Sequence, residues 1–277
     1  MRRLIKRDMI RIKEVSMYFE ELWNEFSKLN EVEAIALGGS RAGNNYDEKS
    51  DYDLYIYCTQ IPDESTRRSI LVKCCSYMEI GNSFWELEDD CTLKDGVDID
   101  ILYRNIENFT NDVSYVVEKF NAYNGYTTCM WHNLLHSRIL YDTDDKFRKM
   151  QERFDIPYPD KLKDNIISKN MRLLTGNLPS YDIQIKKALK RGDMVSVNHR
   201  TAAFMESYFD IIFALNKLTH PGEKRMVQYA IQDAEILPED FEKNIADLFT
   251  NMYTNSNAFA ETLEKIIDSL KKIEMEC

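Results

Sequence analysis

The sequence is short of positive charge. Its 277 residues carry 36 Lys+Arg against 47 Asp+Glu, a formal net charge of −11. A general nucleic-acid binder usually presents a basic face, so this balance argues against that class. It leaves open an anionic ligand held through metal ions. Long apolar runs are missing too: no stretch approaches the ~20 consecutive apolar residues of a membrane span. The start, Met1-Arg2-Arg3-Leu4-Ile5-Lys6-Arg7, is charged with no apolar segment behind it, so a secretory signal is not expected. The six cysteines (Cys58, Cys74, Cys75, Cys91, Cys129 and Cys277) make no CxxC pair and no Cys/His cluster of zinc spacing. Reduced thiols in a cytoplasmic protein are the expectation.

What is present is ordinary for a globular chain: 44% apolar and 30% charged residues. The length suggests about two domains. The first half mixes helical and strand periodicity. Val15, Phe19, Leu22, Phe26 and Leu29 form an amphipathic helical stripe. Glu33–Gly38 reads as a strand ending in the Gly38-Gly39-Ser40 turn. Asp51–Cys58 alternates as a strand. A helix is expected from about Asp63 to Met78, then a strand at Phe84–Glu88. Asp95-Gly96 is turn chemistry ahead of a strand at Val97–Tyr103. Ile106, Phe109, Val113, Val116 and Phe120 mark another helix. The second half has almost no strand signal. Ile156-Pro157-Tyr158-Pro159 reads as a stiff extended linker. Helices are expected near 160–175, 181–191, 194–217, 222–235, 238–253 and 256–274, punctuated by Pro179, Pro221 and Pro238. No internal repeat or low-complexity segment interrupts this. The expected fold is α+β: residues 1–155 form a small mixed sheet flanked by helices, and 156–277 form a helical bundle.

One constellation carries chemistry. Gly38-Gly39-Ser40-Arg41 is followed by Ser50-Asp51-Tyr52-Asp53, and later by Val97-Asp98-Ile99-Asp100. Residues two apart on a strand point to one face. Asp51 therefore pairs with Asp53, and Asp98 with Asp100. If these strands are neighbours, three or four carboxylates converge. Two such charges about 4 Å apart repel by ~4 kcal/mol at an effective dielectric near 20. Divalent cations or protons must relieve that. Carboxylate oxygens suit Mg²⁺, which binds through a few carboxylates plus substrate phosphates. The glycine turn lets backbone N–H groups and a hydroxyl approach a phosphate. Together the parts fit two-metal phosphoryl chemistry.

Gly-Gly-Ser, ten residues, Asp-x-Asp and a later hydrophobic-Asp-hydrophobic strand resemble the DNA polymerase β-type nucleotidyltransferase superfamily. The helical second half is similar to its small-molecule branch, the aminoglycoside and lincosamide nucleotidyltransferases. The motif-bearing resemblance spans residues 30–105. His220-Pro221-Gly222-Glu223-Lys224-Arg225 is similar to a segment of bacterial relatives, a weaker match. The resemblance implies that Gly39 and Ser40 hold a nucleoside triphosphate, with ATP the expected donor. It implies that Asp51 and Asp53 bind Mg²⁺, two ions in all. Asp100 would complete the metal site or act as general base, with Asp98 the alternative. Arg41 and Lys224 are candidate phosphate contacts, Lys224 across a cleft between the domains. A surface arginine and a solvated helix charge are their bland counterparts. The bundle would bind a small-molecule acceptor.

Other features weigh less. His132 and His136 stand four apart, without the HExxH glutamate, and packing is expected of them. Glu86, Glu88, Asp89 and Asp90 read as solvated turn and strand residues. Trp85, Tyr46 or a motif-strand tyrosine could stack on a nucleobase. The expected activity is transfer of a nucleoside monophosphate to a small-molecule hydroxyl, with no nucleic-acid partner and no membrane. An acidic cleft would favour a cationic acceptor of the aminoglycoside type. Two rivals remain: modification of a protein or RNA acceptor, as antitoxin-type relatives do, and a non-catalytic nucleotide sensor.

Overall fold

A computed structural model describes residues 16–43, 50–84 and 86–276. Val15, Tyr46, Trp85 and Cys277 lie outside the described residues. The chain divides into two compact units. One joins residues 1–109 to 136–150; the other joins 110–135 to 151–277.

The first unit is built on a six-stranded mixed sheet. In chain order the strands are β1 (Val32–Leu37), β2 (Tyr52–Cys58), β3 (Cys75–Asn82), β4 (Glu88–Leu93), β5 (Asp98–Asn105) and β6 (Arg138–Asp142). In space the order is β3-β4-β5-β2-β1-β6. The central pair β2/β5 is parallel and the other pairings are antiparallel. On one face, Leu54, Ile56, Ile99 and Ile101 are buried against α1 (Met17–Phe26) and α3 (Glu64–Cys74), through Phe19, Leu22, Phe26, Ile70 and Leu71. Both helices start on side-chain caps: Ser16 accepts the Phe19 N–H, and Asp63 accepts the Thr66 N–H at 2.8 Å. A single turn, α2 (Gly39–Ala42), joins the end of β1 to the segment before β2.

Two expected elements shift. The helix expected to reach Met78 stops at Cys74, and Cys75 enters β3 directly. β3 is an edge strand whose inward face after Cys75 carries only Met78 and Ile80, both partly buried against the core, so its apolar alternation is too short to stand out from the helix before it. The strand expected at Phe84–Glu88 is instead β4, starting at Glu88, and Phe84 is 82% exposed. The turn at Asp95-Gly96 forms as expected. Gly96 adopts φ +88°, and the Leu93 N–H donates to the Val97 carbonyl at 2.8 Å.

The second unit is helical. It comprises most of α4 (Ile106–Val117) and α5 (Cys129–His136), the end of α6 (Lys146–Phe154), and α7 to α12. The last six are Asp160–Leu174, Tyr181–Arg191, Met194–Leu215, Met226–Asp233, Phe241–Asn251 and Ser256–Glu276. Residues 155–159 are non-helical, as the two prolines require. α9 is the central helix, with Phe204 and 207–215 all buried.

The division differs from a single cut at 155/156, because 110–135 packs with the bundle. A buried network shows why. Asp210 of α9 accepts from the Thr127 N–H (3.0 Å), the Thr127 hydroxyl (2.6 Å) and the Asn170 amide (3.0 Å). Asn170 also donates to the Tyr123 carbonyl, and the His220 N–H donates to the Thr128 hydroxyl at 2.8 Å. Burying these groups is costly unless they are paired, and the pairs they form tie segment 123–128 to α7 and α9.

Candidate active site

The parallel register places Asp53 opposite Asp100. Asp51, one residue before β2, shares the parity of Asp53 and therefore its face. The antiparallel register places Asp90 of β4 on the other side of Asp100. One row of acids thus runs Asp53–Asp100–Asp90 across three adjacent strands, with Glu88 two residues along β4 on the same face. This is the face away from α1 and α3.

The electrostatics agree with the register. The Asp100 carboxyl is pushed up to about 6, first by burial, then by the charges of Asp53, Asp51, Asp90 and Glu88. Every one of these influences disfavours its ionised form. Glu88 is also raised, by burial and then by Asp90 and Glu86. Asp98, by contrast, is exposed, and its carboxylate accepts from the Thr92 hydroxyl at 2.8 Å. Asp51, Asp53 and Asp100 are therefore brought together, and Asp98 lies at the strand's exposed start. Glu88 and Asp90, read as solvated, join the row. Their alternation with Thr92 was the signal, hidden by placing the strand four residues early. Asp89 is fully buried: it pairs with Arg67 and accepts from Tyr103 Oη at 2.8 Å. Glu86 forms a forked pair with the buried Arg104 (2.6 and 3.0 Å).

The glycines have a steric reason. Gly39 has φ +58°, and a Cβ there would overlap the Asp53 carboxylate, lying 2.6 Å from its Cγ. Gly38 is equally tight against the Tyr55 ring. The Gly38 N–H donates to the Asp53 carbonyl at 2.8 Å. Only glycine lets this backbone come so near the acidic strand. Gly39 and Ser40 are exposed. Arg41 Nε donates to the carbonyls of Ser50 (2.7 Å) and Asp51 (3.1 Å), and its guanidinium lies 4.1 Å from the Tyr52 ring centroid.

Lys224 belongs to the second unit, in an exposed turn before α10. His220 is buried; its Nδ1 accepts the Gly222 N–H at 3.1 Å, and burial pushes its pKa down to about 3. His132 bonds Thr219 Oγ1 at 2.7 Å. Cys58, Cys74, Cys75, Cys91 and Cys129 are free thiols. No described helix is long and apolar enough to cross a membrane.

The donors in the row are hard carboxylate oxygens with excess negative charge, which is the chemistry a divalent cation requires. Asp51, Asp53 and Asp100 are the residues that would hold one. Among the described residues no three His, Cys, Asp or Glu side chains are already gathered as ligands around one point.

Comparison with known proteins gives the arrangement a context. Residues 127–226 match a family described as a domain of unknown function (DUF4037). No curated protein matches the chain. A nucleotidyltransferase-like protein from Exiguobacterium sibiricum 255-15 is similar at 8% identity and TM-score 0.44, over 94% of this chain and 75% of that one. An aminoglycoside 6-adenyltransferase from Bacillus subtilis is similar at 10% identity and TM-score 0.27, over 95% and 92%. Both likenesses are weak. The stronger finding is the match of residues 19–123 to the family described as "Nucleotidyltransferase domain", which spans α1, the glycine turn, and the three acid-bearing strands β2, β4 and β5. The amino-terminal part of this protein is a nucleotidyltransferase domain of the polymerase β-like type, and by that domain the protein is a transferase enzyme.

Proposed function

We propose that the protein transfers AMP from ATP to a hydroxyl of a small molecule, with Mg²⁺ required and pyrophosphate released. The observation that carries this reading is the register of Asp53 with Asp100, with Asp51 near enough to help raise the Asp100 pKa. Mg²⁺ held by Asp51, Asp53 and Asp100, two ions in our reading, would offset the negative charge that builds at the α-phosphate. Gly39 and Ser40 present exposed backbone and a hydroxyl to the triphosphate beside Asp53.

The acceptor oxygen attacks the α-phosphorus, and the bond from that phosphorus to the β-phosphate oxygen breaks. The hydroxyl proton passes to Asp100 where that carboxylate is not itself a metal ligand, and otherwise to solvent. Catalysis is otherwise positioning and charge stabilisation. The chain's net charge of −11 suits a cationic acceptor, so aminoglycoside-type antibiotics head the panel. ATP and Mg²⁺ are cytoplasmic reagents, and we place the enzyme there.

The test is incubation of the full chain with each α-labelled NTP, Mg²⁺ and a panel of hydroxyl acceptors. Labelled acceptor and stoichiometric pyrophosphate are expected, with ATP preferred. Turnover that survives Asp53→Asn and Asp100→Asn within about twofold would refute the assignment of these carboxylates. Saturable nucleotide binding with no pyrophosphate from any acceptor would make the protein a sensor.

A further inference from the structure

We propose that Arg41 is a positioning residue: it fixes the backbone that carries Asp51 into the acidic row, and it does so through Ser50 and Asp51 main chain, not through a phosphate. The inference rests on the function proposed above and deepens it.

The two motif carboxylates are held differently. Asp53 lies inside β2. It is registered against Asp100, and its carbonyl accepts the Gly38 N–H. Asp51 lies one residue ahead of β2, outside the ladder. The carbonyls of Ser50 and Asp51 instead both accept from Arg41 Nε, at 2.7 and 3.1 Å. The guanidinium is itself seated. It lies 4.1 Å over the Tyr52 ring, and that ring is 4% exposed and stacked on Phe19 at 4.1 Å and 11°. Phe19 belongs to the core under the sheet. A continuous stack therefore runs from the core through Phe19 and Tyr52 to Arg41, and ends on the carbonyls that set where Asp51 starts.

This geometry needs arginine. Nε lies in the plane of the guanidinium, so it can donate at the edge while the face stacks. A lysine ammonium keeps the charge and loses the planar stack. A single-point contact to a phosphate would be kept by the lysine charge.

The experiment compares Arg41→Lys and Arg41→Gln with the wild-type chain, after circular dichroism has verified the fold. Positioning predicts a kcat loss of roughly 10- to 100-fold in both variants, with KM for the NTP within about twofold. The Mg²⁺ concentration for half-maximal rate rises in both. Two readouts do not need turnover. Mn²⁺ binding without nucleotide, followed by electron paramagnetic resonance, weakens several-fold in both variants. Hydrogen exchange at the amides of 51–53 speeds up in both. Full recovery of kcat by lysine, with glutamine raising only KM, would assign Arg41 to the phosphates and overturn the proposal. Unchanged exchange at 51–53 would overturn it even if no transfer is seen in any protein. Faster exchange together with an inactive wild type would leave the tether standing and sink the transferase reading alone.

Discussion

Two aspartates in this molecule are both held near pKa 6, and they differ in almost everything else. Asp100 sits in the sheet unit and Asp210 in the helical unit. Burial is the largest cause for each. For Asp100 the further causes are four neighbouring carboxylates, all pushing the same way. For Asp210 they are hydrogen bonds from Thr127 and Asn170, all pulling back toward ionisation. Asp100 is half-buried, whereas Asp210 is 2% exposed. A raised pKa alone therefore does not mark a reactive site. Its causes do: a row of like charges is what a cation-binding site presents, and burial offset by hydrogen bonds points to architecture.

The widest separation between the two should appear on mutation. Asp53→Asn or Asp100→Asn should lower kcat/KM by roughly 10³-fold, about 4 kcal/mol of transition-state stabilisation. Thermal melting should stay level or rise slightly, because a like charge has been removed. Asp210→Ala should do the reverse to the fold. It strands the Thr127 and Asn170 donors in the bundle interior and should cost about 2–3 kcal/mol in urea unfolding. A destabilised Asp100→Asn, or an Asp210→Ala with wild-type stability, would erase the distinction.

How much of this was legible in advance follows from what each feature depends on. β2 and β5 were visible because they are central strands with apolar residues at every second position. The late helices were visible because prolines and caps bound them: α7, α8 and α9 begin where expected. β3 and β6 lie at the sheet edges; after Cys75, β3 offers only Met78 and Ile80 to the core and β6 is five residues long, so neither pattern is long enough to read. Asp89 and Asp90 are adjacent in sequence yet face opposite sides of β4, one into Arg67 and one toward Asp100. Without the strand register they looked alike. The division at 109/110 was not readable, since it depends on Asp210 reaching Thr127 across 83 residues. The role of Arg41 depends on a ring and two carbonyls, and composition records none of these.

A titration sharpens the comparison from the helical side. The Asp210 pKa rises from 3.8 to about 6 on folding. The native state then binds more protons than the unfolded state between those values. Stability must fall as pH climbs from about 4 to 6, and level off above. The rise corresponds to about 2–3 kcal/mol at most. Asp100 contributes with the same sign, so wild type should be compared with Asp210→Asn, where the Asp100 contribution cancels. The stability of wild type relative to this variant should decline across pH 4–6 in urea unfolding. A difference that is flat with pH would mean that the hydrogen bonds to Asp210 fully offset its burial, and one that rises with pH would mean that they outweigh it.

The smallest effect tests the sheet side. If the acidic row binds a cation, Mg²⁺ should stabilise the native state and not the unfolded chain. At ten times its dissociation constant it should add about 1.4 kcal/mol, a rise of roughly 2–4 °C in melting temperature for a protein of this size. Asp53→Asn should abolish that rise, since it removes one carboxylate from the row registered on Asp100. Asp210→Asn should keep it, because Asp210 lies in the other unit and its oxygens are already occupied by Thr127 and Asn170. An equal Mg²⁺ response in both variants would place the cation elsewhere on the acidic surface and remove the reason for treating the two aspartates differently.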